Sequence, residues 1–253
     1  MEKIRISKYF TDCGVMSRRA AEEEIKLGRV TVNGHVAELG EKVDPECDEV
    51  VYNGKKIKPE TDSKVYVMLN KPRGIVCTAS DEKGRDNVTD LCRDVKDRNG
   101  KRVRLYPVGR LDMISEGMLL LTNDGELKNR LTHPSHTIEK IYRVKVAGTV
   151  SDEQLDTLCS PLVIDDYKIR PCVVTRGEAD ESGTVLKFVL TEGRNRQIRK
   201  MCEIAGLTVK RLSRVSIGKL KLDGLPVGKW RYLDEDEVEY LYKATNNVSV
   251  RKK

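Results

Sequence analysis

The sequence predicts an α+β chain, a small module followed by a larger one, on three observations. Residues 6–28 carry two runs of apolar side chains at helical spacing, and residues 29–36 alternate around an Asn-Gly pair. Residues 140–146 alternate again, ahead of a basic, helix-spaced segment that begins near Arg196. With 253 residues there is room for one large domain and a small one, and chain enough for a sizeable core.

In the first module, residues 1–60, Ile6, Tyr9, Phe10 and Cys13 recur at helical spacing and Gly14 follows as a stop. Ser17 suits the N-cap of a second helix through Ala20, Ala21 and Ile25 to Gly28. Arg29-Val30-Thr31-Val32-Asn33-Gly34-His35-Val36 is a hairpin signal, since Asn-Gly adopts the positive φ angles of a two-residue turn. Arg18, Arg19 and Arg29 flank these elements and would gather cations at one edge, for which phosphate is the natural ligand. Arg18 and Arg19 also oppose the helix dipole, a cost that an anionic partner reverses; each alone equally fits a solvated helix start.

A polar connector from Asn53-Gly54 to Ser63 leads to the second domain, residues 64–243. Val65 to Leu69 reads as its first strand, ending at Asn70-Lys71-Pro72. Arg93 to Arg104 is mixed in charge and without period, and is expected to be an exposed loop that orders on a partner. Next, Gly109-Arg110-Leu111-Asp112 sets one carboxylate between a basic residue and the apolar run Met118 to Leu121. An acid at the mouth of a buried strand is costly to keep charged, and such cost is commoner at working sites than in scaffold. By residue type alone Asp112 also fits a turn cap.

Leu127 and Leu131 lie one turn apart in a helix that stops before Pro134, where His133 reads as a structural helix-end residue. In Lys140 to Val146 the alternation puts Tyr142, Val144 and Val146 on one inward face. Glu192-Gly193-Arg194-Asn195-Arg196-Gln197-Ile198-Arg199-Lys200 is the richest basic stretch; a helix opening near Arg196 would bring free N–H groups and arginines together as an anion site. The strand Val209 to Val215 adds Lys210 and Arg214 on alternating sides and Leu212 as an apolar wall. Residues 244–253 read as a polar, basic, disordered tail.

Composition narrows the class of function. Lys and Arg number 47 against 40 Asp and Glu, a net charge of +7 that suits a polyanion partner. Aromatics are only 5%, which disfavours stacking along a strand and favours one inserted base. The seven cysteines are scattered, with no Cys-x-x-Cys and no histidine at metal spacing, and read as reduced and buried. No apolar leader or membrane-length run is present, so a cytoplasmic location is expected.

Gly-Arg-Leu-Asp followed by Ser-x-Gly and Leu-Leu-Leu-Thr-Asn-Asp-Gly resembles the catalytic motif of pseudouridine synthases, in the RsuA/RluB branch that isomerises uridines of bacterial ribosomal RNA. Lys140-x-Tyr142 resembles the second motif of that family and Gly193 to Met201 the third. The first module, residues 1–60, with Ser-Arg-Arg and Gly-Arg-Val-x-Val-Asn-Gly, resembles the S4 RNA-binding domain. The resemblance implies a catalytic domain built on a mixed, mostly antiparallel sheet flanked by helices, its cleft where the three motifs meet. It implies Asp112, Tyr142 and Arg199 as catalytic residues, with Arg110, Leu212 and Lys71 at the substrate pocket. Arg5, Arg18, Arg19, Arg29, Asn33, Arg194, Arg196, Lys210 and Arg214 would contact RNA. One departure stands out: many members carry Thr-Ser-Gly where this chain has Ser115-Glu116-Gly117, so Glu116 would set a negative charge beside RNA.

The reaction so implied needs no cofactor or metal. Asp112 attacks C1′ or abstracts the C2′ proton, Arg199 keeps it ionised, Tyr142 holds the uracil, and Tyr142 or a water removes the C5 proton. The expected partner is ribosomal RNA, with large-subunit rRNA favoured over small-subunit rRNA by Leu131-Thr132-His133-Pro134-Ser135 and by Glu-Gly-Arg-Asn-Arg-Gln; no membrane is involved, and a monomer is expected. Two other readings stay open. A non-catalytic S4-type assembly factor would have no need of an acid among phosphate-binding cations. A glycoside hydrolase would want a second carboxylate in a comparable motif.

Overall fold

The computed structural model describes residues 2–59, 64–79, 84–135 and 137–246. They fall into two compact units, one comprising Met1–Val65, Asp94–Arg104 and Asn123–Gly125, the other Tyr66–Arg93, Leu105–Thr122 and Glu126–Lys253.

The first unit contains β1 (Ile4–Arg5), α1 (Ile6–Asp12), α2 (Arg18–Lys26), β2 (Val30–Val32), β3 (His35–Val36), β4 (Lys42–Val43), β5 (Val50–Tyr52) and β6 (Lys55–Ile57). Helices this short are marginal alone. They persist here because Ile6, Tyr9, Phe10, Ala21 and Ile25 bury against Val30, Val32, Val43 and Val50. Ser17 caps α2 as expected, its hydroxyl accepting from the Ala20 N–H at 3.2 Å. The turn between β2 and β3 has φ of 49° at Asn33 and 86° at Gly34, which matches the twist of the flanking strands. The sheet order is β3-β2-β5-β6.

The segment expected to be an exposed loop, Arg93 to Arg104, carries no helix or named strand and is mostly exposed, and it is organised around Asp97. Its Oδ1 accepts from the N–H groups of Asn99 and Lys101, both at 2.9 Å, and Lys96 bridges Arg102. A short carboxylate that bonds the backbone two and four residues on fixes a turn without regular periodicity. Val95 and Asp97 are consequently buried.

In the second unit the elements are β7 (Tyr66–Lys71), β8 (Tyr106–Val108), β9 (Glu116–Thr122), α3 (Gly125–Thr132), β10 (Lys140–Val146), α4 (Asp152–Cys159), β11 (Val163–Ile164), β12 (Tyr167–Lys168), β13 (Val173–Asp180), β14 (Gly183–Leu190), α5 (Gln197–Ile204), β15 (Val209–Ile217), β16 (Leu220–Lys221), β17 (Trp230–Tyr232) and α6 (Glu235–Asn246). The main sheet runs β13-β14-β10-β15-β9-β7-β17, with β8 on β9 and β16 on β15. It is the expected mixed, mostly antiparallel sheet, its one parallel strand pairing among the described residues being β15 on β9. Every residue of β9 is buried, as an apolar run covered on both faces should be. Leu127 and Leu131 of α3 and Leu241 of α6 pack with Met68, Met118 and Leu120; Leu158 of α4 and Met201 of α5 pack with Val144, Val146, Leu186 and Phe188.

The parallel contact is unusually close. Ser213 faces Glu116 and Arg214 faces Gly117, where φ is 102° and an added Cβ would lie 2.3 Å from the Arg214 carbonyl oxygen. Only glycine fits there.

Two expectations are corrected. Ala244, Thr245 and Asn246, assigned to the tail, form the end of α6, with Thr245 buried and its hydroxyl donating to the Leu241 carbonyl at 2.9 Å; residues 247–253 lie outside the described residues. None of the seven cysteines, all among the described residues, is in a disulfide; only Cys92 and Cys202 are buried, while Cys47 and Cys159 are exposed. Scattered single cysteines follow whichever face their element turns to the core.

Candidate active site

The loop from Gly109 to Ser115 joins β8 to β9 and carries Asp112 into a cavity of about 490 Å³. That volume suits a nucleotide-sized ligand. The loop is held from beneath by Lys71, at the end of β7, which has no solvent exposure. The Lys71 ammonium donates to the carbonyls of Pro72 (2.9 Å), Asp112 (3.2 Å), Met113 (3.4 Å) and Ser115 (2.8 Å). Burial holds its pKa below the ordinary lysine value, opposed by Cys77, Asp112 and Glu116. Lys71 therefore does not line the cavity, contrary to the sequence expectation; carbonyls at a loop crossing form a better site for a buried ammonium than a wet cleft does.

Arg199, on the first turns of α5, reaches the same loop. Its Nη2 donates to Ser115 Oγ (3.3 Å) and to the Ile114 carbonyl (3.4 Å), while Nε stands 3.7 Å from Asp112 Oδ2. Arg199 Nε is buried with no hydrogen-bond partner among the described residues. Burial lowers the Arg199 pKa and Asp112 opposes that shift. The pair is ionic without being a direct hydrogen bond, so the carboxylate keeps its acceptor capacity for a ligand.

Tyr142 projects from β10 into the cavity at 8% exposure, flanked across the sheet by Arg214 of β15 and Phe188 of β14. Leu111, Ile198 and Leu212 supply apolar wall, and Arg110, Arg170, Arg194 and Arg196 line the cavity as well. Arg194 and Arg196 are exposed, and the Arg194 guanidinium stacks on the ring of Tyr167. Arg196 takes the left-handed conformation at the N-cap of α5, and Gln197 closes the turn by accepting from the Arg194 N–H and donating to Glu192.

Of the residues expected at an RNA surface, Arg214 lies inside the protein. Arg214 is 3% exposed and lines the cavity; its Nε donates to the Met118 carbonyl at 2.8 Å. Alternation predicts opposite faces for neighbours in β15 but not that both faces of a central strand are covered. Lys210 does not line the cavity and bonds the Ser182 carbonyl at 2.9 Å. Glu116 is buried and pairs with the exposed Arg211 rather than lining the cavity. In the first unit Arg5, Arg18 and Arg19 are exposed, Arg29 pairs with Glu24, and the Asn33 amide is engaged by Asp48 and the Glu49 N–H.

Sequence reasoning passed over Lys140, Arg170, Tyr167 and Glu192, all of which line the cavity, and gave His133, another lining residue, a structural role only. Lys140 was recoverable: two residues before Tyr142 on a strand, it shares that face. Its pKa is lowered to about 8, by burial first and then by Arg214 and Arg170, against Glu192. Among the described residues no cluster of histidine, cysteine or acidic side chains is arranged to hold a metal, and no helix is long and apolar enough to cross a membrane.

Comparison with known proteins agrees with this arrangement. The family model described as RNA pseudouridylate synthase matches residues 65–204, and the S4 domain model matches residues 14–50. An uncharacterized RNA pseudouridine synthase of Aquifex aeolicus is 38% identical, covering 100% of this chain and 99% of its own. The ribosomal large subunit pseudouridine synthase B of Bacillus subtilis is 41% identical over 94% of this chain and 95% of its own; the dual-specificity RNA pseudouridine synthase RluF of Escherichia coli O6:H1 is 38% identical over 97% and 81%. A crystal structure of pseudouridylate synthase superposes with a TM-score of 0.64 at 26% identity, covering 94% of this chain and 99% of that one. A carboxylate, an arginine and a tyrosine converging on one nucleotide-sized cavity, in a chain that also carries an S4 domain, place this protein in the pseudouridine synthase family, as an RNA-modifying isomerase of the RluB and RluF type.

Proposed function

We propose that this enzyme converts a uridine of ribosomal RNA, in the large subunit, to pseudouridine in the cytoplasm, with Asp112 acting on the ribose. The observation that carries the reading is the Asp112–Arg199 pair at 3.7 Å, in a cavity that also holds Tyr142. The name of the Bacillus subtilis relative supports the large subunit.

The target uridine leaves its stack at a cost of roughly a few kcal/mol, offset by phosphate contacts. Arg110, Arg170, Arg194 and Arg196 serve those contacts at the cavity, and Arg5, Arg18, Arg19 and Arg29 serve RNA on the S4 unit. Asp112 attacks C1′ or takes the C2′ proton; the bond from C1′ to N1 breaks, and the uracil turns against Tyr142 and Leu212. C5 then joins C1′ as the sugar releases Asp112 or regains its C2′ proton, and C5 gives up its proton to a weak base while N1 takes one up. The atoms balance within the substrate, so the reaction consumes no co-substrate.

Pseudouridine mapping of rRNA from cells lacking this protein, complemented with wild type or Asp112→Asn, tests the reading. One large-subunit site restored by wild type alone supports it. A restored small-subunit site removes the large-subunit assignment, and restoration by Asp112→Asn removes the role of Asp112.

A further inference from the structure

Arg214 is the least explained cation of the cavity. Its Nε is fixed on the Met118 carbonyl at 2.8 Å, which locks the guanidinium plane, yet its Nη2 is buried without a hydrogen-bond partner among the described residues. An unsatisfied buried donor on a charged group is costly and is kept where a ligand satisfies it. Arg214 is the direct cross-strand neighbour of Tyr142, and its guanidinium carbon lies 6.0 Å from the Tyr142 ring centroid. Lys140 lines the cavity too, and the acids lining it are Asp112 and Glu192.

We propose that Arg214 donates its Nη2–H to a carbonyl oxygen of the target uracil and stabilises the anion that forms as the uracil leaves the ribose. This rests on the placement of Tyr142 against the uracil. When the bond between C1′ and N1 breaks, its electron pair stays on the ring and spreads over N1, O2 and O4. A fixed donor at one of those oxygens meets charge that is small in the bound uridine and large at the transition state. Arg214 donates a hydrogen bond and transfers no proton, and the pair returns to C1′ from C5. A phosphate fits this position poorly, because Arg214 is 3% exposed whereas Arg194 and Arg196 stand in solvent.

The test uses the full-length protein on large- and small-subunit rRNA transcripts made with uridine or with 5-fluorouridine, whose more acidic ring leaves more easily. Arg214→Gln is expected to keep its RNA affinity and to lose roughly a hundredfold or more in single-turnover conversion of uridine. On 5-fluorouridine RNA, followed as formation of the C-glycoside, the loss should shrink several-fold. Arg214→Lys, which keeps the charge, is read by the same ratio if the glutamine variant does not fold. Wild-type turnover by both variants, an equal loss on both bases, or a loss of RNA affinity with unchanged rate at saturation would each overturn the proposal. Asp112→Asn is measured alongside: its activity bears on the role of Asp112, whereas the ratio between bases bears on Arg214.

Discussion

Lys71 donates to the Ser115 carbonyl at 2.8 Å from a position closed to solvent, and the Asp112 and Met113 carbonyls share the same ammonium. One cation thus fixes the backbone on both sides of the turn that carries the carboxylate. Lys71→Met orphans these acceptors at about 1 kcal/mol or more each, offset in part because no ammonium is then desolvated. The expected net loss is about 2 kcal/mol in urea unfolding, with kcat falling more than about tenfold as the loop loosens. Full activity in this variant would show that the loop needs no such support.

Arg199 holds the loop through Nη2 and faces Asp112 through Nε, two tasks that use the fork of a guanidinium. A lysine has one nitrogen and cannot perform both. Arg199→Lys is expected to fold normally and to lose roughly ten- to a hundredfold in kcat, with KM changed much less. Single-turnover assays at saturating RNA separate this from weakened binding.

Glu116 is buried, but its partner Arg211 has a side chain 61% exposed, so solvent screens most of their attraction. A double-mutant cycle on Glu116→Gln and Arg211→Gln should give a coupling below about 1 kcal/mol. Pseudouridine formation by Glu116→Gln should stay within about twofold of wild type, because the carboxylate does not line the cavity. A large change in target choice would show that this carboxylate reaches RNA.

Lys140 gives the fold a pH dependence of predictable sign. Its pKa falls from the ordinary 10.5 to about 8 in the folded protein. Between those values the unfolded chain binds more protons, so this residue makes stability rise with pH from about 8 toward 10.5, and it contributes no slope below about 7. The gain is of order 1–3 kcal/mol, and Lys140→Met should flatten that part of the curve when unfolding is followed by urea at several pH values. An identical slope in both proteins would assign the dependence to another group.

Gly117→Ala sets a methyl carbon 2.3 Å from the Arg214 carbonyl oxygen at a φ of 102°. Both the clash and the backbone conformation oppose it, and a loss of roughly 3 kcal/mol or more is expected in thermal or urea unfolding. Gly54→Ala, where a Cβ meets open space, is the control for φ alone, at about 1 kcal/mol.

The α+β class, the cap at Ser17, the hairpin at Asn33-Gly34 and the inward face of Tyr142 were legible because each depends on residues a few positions apart. The loop bearing Asp112 was legible as a motif, and Arg199 and Leu212 share its cavity. What the sequence concealed is the burial of cations. Lys71 and Arg214 look like surface residues by composition, and their surroundings come from strands distant in the chain. The partners of Asn33 were also hidden, since its amide is held by Asp48 and Glu49 through a turn that local pattern does not reveal.

The parallel seam between β9 and β15 also governs when the site comes into being. The bond from Arg214 Nε to the Met118 carbonyl joins residues 96 positions apart, and Arg214 itself lines the cavity. Contacts of such separation close late, after the local hairpins and helices. During synthesis the Asp112 loop precedes β15, so a chain that has not yet made β15 lacks Leu212 and Arg214 of the cavity wall. The cavity is thus completed from one of the last strands of its sheet to be synthesised, where Leu212 and Arg214 join walls set by residues far earlier in the chain.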